Sequence, residues 1–223
     1  MNMPSALAVV SSLVGFYNYR KLKGTYWITF PYYLFFQGFL DNLGGYFNGS
    51  WNILYYTFIV YPYLYLYYIW IFKKNAVSSS YNKIYNIAFL LFFVNYIILL
   101  LLYYNNFYNI FILGNIDVIH NDISSFDIYL ENNTKIILFI IIITYFYEII
   151  STSKILYFYQ DLQFWVCLGL ILFELFTFPY NTFKFYLFEN FKDLGTKMFY
   201  IEKALCALMY FSFITGFICM KKR

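Results

Sequence analysis

Runs of about twenty apolar residues, barely broken by charge, recur along the whole of this 223-residue chain. KIILFIIIITYFYEII, residues 135–150, is one of them, with Lys135 and Glu148 as its only charged positions. That pattern decides the solvent. A soluble domain must set a large share of its residues against water. This chain is 62% hydrophobic and 12% charged, against roughly 45–50% and about 25% in soluble domains. It is therefore expected to fold in lipid. There each span must satisfy its own backbone hydrogen bonds, which favours helices.

Apolar runs long enough to cross a bilayer as helices fall at 4–19, 26–46, 51–72, 84–104, 136–153, 162–183 and 199–220. The expected fold is all-α: a single transmembrane domain over 1–223, a polytopic bundle of seven helices. YPYLYLYY, 61–68, alternates like a barrel strand, but it lies inside one long apolar run without turn residues. A kinked helix near Pro62 is the better reading. In the first span Ala8, Ser11, Ser12 and Gly15 share a face of small residues suited to close helix contact. That span has its cations after the apolar run rather than before it, so it reads as an uncleaved helix and not a signal peptide.

Lys and Arg in short loops tend to stay cytoplasmic. With the N-terminus outside and the C-terminus inside, the inner side holds Arg20, Lys21, Lys23, Lys73, Lys74, Lys83, Lys154, Lys221, Lys222 and Arg223. The outer side holds Lys135, Lys184, Lys192, Lys197 and Lys203, a split of 10 to 5. The one long connection, 105–135, is expected to be an outer loop, with FYNIFILG lying at the interface or dipping back.

The few polar residues inside the spans are the candidate site. On the sixth span Gln163, Cys167, Leu170, Glu174, Thr177 and Asn181 fall on one face at helical spacing. Glu174 is near mid-depth, where an ionised carboxylate would cost several kcal/mol. It is expected to be neutral and hydrogen-bonded to Asn95 of the fourth span or to a tyrosine hydroxyl. Weaker stripes place Gln37 and Asp41, followed by Gly44 and Gly45, on the second span, and Thr144, Glu148, Ser151 and Thr152 on the fifth. Asp41 and Glu148 lie nearer the ends, within reach of interfacial water. The set admits two readings: hydrogen-bonded glue between helices, or a proton or cation path from Asp41 through Glu174 to Glu148.

The remaining chemistry is sparse. Cys167, Cys206 and Cys219 lie in apolar runs and read as small buried hydrophobes. Asp117, His120 and Asp122, and the sequons at Asn48 and Asn132, are spacings that an Asn- and Asp-rich chain produces by chance, so no metal, catalytic residue or cofactor is expected. The 28 Tyr and 29 Phe accompany abundant Ile, Asn and Lys, the signature of A/T-rich codons. Basic residues are not interleaved with them, which argues against a nucleic-acid partner. A retinal pigment would need a lysine midway along the last span, where Met209, Tyr210 and Phe211 stand instead.

NYRKLKGTYW (18–27), WNILYYTFIVYPYLYLYYIWIFKK (51–74) and KIILFIIIITYFYEIISTSK with LQFWVCLGLILF (within 135–173), including the Phe164-Trp165 pair, resemble the small seven-span proteins of Bacteroidota. The resemblance implies a bacterial inner-membrane location and carries no catalytic residues; Glu174 departs from its pattern, which has an aromatic or apolar residue there. Three functions fit the sequence. One is a non-enzymatic sensor or accessory protein acting through a membrane or cytoplasmic partner or a second copy, a class that includes small proteins beside bacterial defence effectors. The others are a proton- or cation-coupled channel or transporter and a structural subunit of a membrane complex.

Overall fold

The computed structural model describes residues 3–47, 50–76, 79–102, 120–151 and 153–221. Among them the chain is helical, without strands. The elements are α1 (Met3–Tyr17), α2 (Tyr19–Leu22), a 3-10 turn (Tyr26–Thr29), α3 (Phe30–Gly44), α4 (Ser50–Tyr55), a π turn (Tyr56–Val60), α5 (Tyr61–Asn75), α6 (Ser79–Leu102), α7 (His120–Ser151), a 3-10 segment (Ser153–Gln160), α8 (Leu162–Asn190) and α9 (Lys192–Cys219). Among the described residues, four segments are long and apolar enough to cross a membrane: Tyr81–Leu102, Ile128–Ser151, Leu162–Lys184 and Lys192–Cys219. This is a helical membrane protein.

The described residues group into two compact units, Met1–Asn42 with Ile142–Arg223 (unit 1) and Leu43–Ile141 (unit 2). In unit 1 the small-residue face of α1 is buried as its spacing predicts, with Ser5, Ala8, Ser11, Ser12 and Gly15 turned inward. Small side chains let backbones approach. A Cβ on Gly15 would sit 2.6 Å from Pro31 Cγ, and Ser12 Oγ donates to the Pro31 carbonyl at 2.7 Å. Gly38 in turn meets the Ser5 carbonyl and Ala8, so α3 runs antiparallel to α1.

Helix α9 lies parallel to α1. Ser11 Oγ donates to the Tyr210 carbonyl at 3.4 Å, and Gly15 at the far end of α1 faces Phe217. Helix α8 packs antiparallel on α9, with Gly169 against the Met209 carbonyl and Gly216 against Leu162 and Trp165. Lys21 Nζ donates to the Ile218 carbonyl at 2.8 Å. The basic segment after α1 and the end of α9 therefore share one end of unit 1, and Met3 and Phe199 share the other.

In unit 2 the expected kink near Pro62 takes the form of a π turn over Tyr56–Val60, just before the proline. A proline ring clashes with the carbonyl four residues earlier and cannot donate to it; a wider turn accommodates both effects. Leu54, Leu99 and Leu130, flanked by Phe58, Tyr61 and Tyr96, form a buried cluster joining α4, α6 and α7.

The connection expected over 105–135 differs. It is helical from His120 onward, and residues 103–119, including FYNIFILG and Asp117, lie outside the described residues. Polar residues at 131–135, within α7, account for helix there, because they pair along the helix and across to α6. Glu131 bridges Lys135 at 2.7 Å across four residues, and Asn133 Nδ2 donates to Asn95 Oδ1 at 3.0 Å. Thr134 is buried and donates to the Leu130 carbonyl, so the sequon at Asn132 lies in helix rather than loop.

Candidate intramembrane polar site

Helix α8 carries the stripe as its spacing predicts. Gln163, Cys167, Leu170, Glu174, Thr177 and Asn181 are all buried, while Leu175 and Phe176 beside them are exposed. The helix begins where its capping chemistry allows. Asp161, in extended conformation, accepts from the Gln163 amide at 3.1 Å and so satisfies one of the free N–H groups of the first turn. Pro179 sits inside α8 and withholds one intrahelical hydrogen bond a turn beyond Glu174.

Two polar groups form on this stripe. Toward the Met3 end, the carboxylates of Asp41 on α3, Glu174 on α8 and Glu202 on α9 all lie within electrostatic reach of the Cys206 thiol. Gln37, one turn before Asp41, is buried, and its Oε1 has no hydrogen bond. The same is true of Thr177 Oγ1 and the Tyr180 hydroxyl, which lies within electrostatic reach of Glu202.

The second group is at the basic end. Tyr145 of α7 donates to Asp161 Oδ2 at 3.3 Å, and Glu148 and Cys167 lie within electrostatic reach of the same tyrosine. Thr144 and Glu148 are buried on the inward face of α7, and the Ser151 hydroxyl donates to the Glu148 carbonyl at 3.2 Å. Glu148 is only 2% exposed, so it does not reach interfacial water as expected from its position near the helix end. Buried Gln163 stands one turn before Cys167 on the same stripe.

Between the two groups α8 presents Leu170, buried and apolar. From Cys167 to Glu174 the helix rises roughly 10 Å. The arrangement is therefore two clusters of exchangeable protons separated by one apolar layer.

Asn95 belongs to unit 2, where its carbonyl oxygen is taken by Asn133. Sequence reasoning missed Glu202, Asp161 and the Glu131–Lys135 pair. Each had a signal: Glu202 precedes Cys206 by one turn on the buried face of α9, Asp161 directly precedes an apolar run, and Glu131 and Lys135 have ion-pair spacing. Of the loop trio, Asp117 falls outside the described residues and His120 and Asp122 lie in the first turn of α7.

Among the described residues, no three His, Cys, Asp or Glu side chains converge as a metal-ligand set. No protein-family model, curated protein or solved structure matches the chain.

Proposed function

We propose that this protein is a non-enzymatic, multi-pass protein of a bacterial inner membrane that carries protons or small monovalent cations along the carboxylates of unit 1. The observation supporting this is that Asp41, Glu174 and Glu202 all lie within electrostatic reach of Cys206, while Glu148 and Asp161 lie within reach of Tyr145, on the other side of buried Leu170. Carboxyl groups in a low-dielectric interior are costly to hold and mark ion or proton pathways. Helix-to-helix glue would need only one partner per polar group. Three acids in one field, beside oxygen atoms without hydrogen bonds, exceed that need.

The chain crosses the bilayer seven times in this reading, with the N-terminus outside and the C-terminus inside. The parallel course of α1 and α9, which sets the first and last helices in the same direction, supports an odd number of crossings. The charge split supports the orientation. With Lys135 drawn into α7, the outer side keeps Lys184, Lys192, Lys197 and Lys203.

Transfer requires a proton or cation to pass Leu170, either through transient water or by a shift of α8 about Pro179. In proteoliposomes carrying a pH-sensitive dye and an imposed potential, the wild-type chain is expected to acidify or alkalinise the lumen. Glu174→Gln keeps shape and neutral hydrogen bonding but cannot exchange a proton, so flux should fall to the background of empty liposomes. Equal flux in the variant and wild type would overturn the proposal. A sensor working through a partner, or a structural subunit, would then account better for the chain.

A further inference from the structure

Two apolar helices of unit 1 run out into cations at the same end. Helix α1 stops at Tyr17 and is followed by Arg20, Lys21 and Lys23, while α9 stops at Cys219 and is followed by Lys221. The bond from Lys21 Nζ to the Ile218 carbonyl, 2.8 Å, draws the two sets together. It also commits Lys21 to the last turn of α9, whose carbonyls favour a cation. Arg20, Lys23 and Lys221 are exposed.

The local fold holds the first two of these outward. Leu22, 0% exposed, pins α2, and Thr25 Oγ1 donates to the Leu22 carbonyl at 2.8 Å, closing the turn that follows. Gly24 takes φ 90°, the left-handed region, and a Cβ there would meet nothing within 4 Å, so space is open beside Lys23. The carboxylates at this end are otherwise engaged: Glu148 is 2% exposed, and Asp161 accepts from Tyr145 and from the Gln163 amide. Flanking the cations in the chain are Tyr17, Tyr19 and Tyr26, at 90%, 38% and 50% exposed. Tyrosines at the ends of membrane helices sit at headgroup level.

We propose that this end of unit 1 binds the phosphate of an anionic phospholipid, with Arg20, Lys23 and Lys221 as its cations and the flanking tyrosines beside the headgroup. Charge complementarity and depth select that partner: these cations begin within three residues of the helix ends, where bilayer phosphates lie. Arg20 adds a planar fork that matches phosphate oxygens. A lipid so held ties the connection after α1 to the end of α9, as Lys21 does from within the protein. The site requires neither conduction nor a particular orientation in the bilayer.

The test uses the full chain, delipidated in mild detergent, given equal amounts of phosphatidylglycerol and phosphatidylcholine and read by native mass spectrometry. The wild type should retain phosphatidylglycerol over phosphatidylcholine by roughly tenfold or more, since each cation near an anionic surface contributes about fivefold. The triple variant Arg20→Gln, Lys23→Gln, Lys221→Gln should lose that preference. A second triple, Lys184→Gln, Lys192→Gln, Lys197→Gln, removes the same charge elsewhere on unit 1 and should keep it. Equal retention of both lipids by the wild type, or equal loss in the two triples, would overturn the site. Displacement of the lipid by glycerol 3-phosphate at an equal phosphate concentration would also overturn it, in favour of a soluble phosphate. Gel-filtration profiles matching the wild type show that both variants are folded, as exposed positions allow.

Discussion

Glu131→Ala should destabilise unit 2 by about 3 kcal/mol or more. Lys135 is 2% exposed at its side chain and Glu131 17%, with 2.7 Å between the charged atoms. Removing the carboxylate leaves an ammonium inside the protein without its counter-charge. Removing both charges does not, so the double variant Glu131→Leu with Lys135→Met should recover most of the loss. A double-variant cycle read by reversible unfolding in mixed detergent micelles gives the coupling directly. A cost for Glu131→Ala within about 0.5 kcal/mol of zero would mean that the lysine reaches water, as an ordinary surface pair does.

The second large effect is expected at the seam between α8 and α9. A Cβ added to Gly169 would lie 2.9 Å from the Met209 carbonyl oxygen, 3.0 Å from Phe213 Cε1 and 3.2 Å from Ser212 Cβ. The first of these is backbone, so relief requires the helices to separate. Separation also strains the bond from Ser212 Oγ to the Trp165 carbonyl, 2.6 Å, one turn away. Gly169→Leu should therefore cost about 3 kcal/mol, and Gly169→Ala roughly 1 kcal/mol. Thermal unfolding of the purified protein in detergent checks both; a leucine variant as stable as wild type would show that the seam is loose.

What the sequence discloses and what it hides follow one rule. Where a helix has one polar or small face and apolar flanks, spacing alone identifies the buried side. Both the Gln163-to-Asn181 stripe and the Ser5-to-Gly15 face are found where spacing puts them. Pro62 likewise announced a break, though not that a π turn would absorb it. The polar stretch 131–135 of α7 was hidden for the opposite reason. ENNTK reads as loop by composition, and it is helical because its polar groups find partners at four-residue spacing and on α6.

Glu202 was hidden by depth. It lies near the end of its span, beside a lysine, where a carboxylate reads as surface, and spacing alone does not show that Asp41 of α3 and Glu174 of α8 act on the same thiol. The bond from Asn133 to Asn95 could not be read either, because which polar side chains meet across two helices is set by tertiary packing and not by periodicity.

The most direct test of the account is collision accessibility of nitroxides placed in turn at Phe176 and Thr177 of a cysteine-free chain in liposomes. These neighbours differ sharply in the structure, at 60% and 1% exposed. The account predicts frequent collisions with lipid-dissolved oxygen at position 176 and few collisions with oxygen or a water-soluble nickel complex at 177. Free oxygen access at 177, or nickel access at 176, would place the polar stripe on the outside and contradict it.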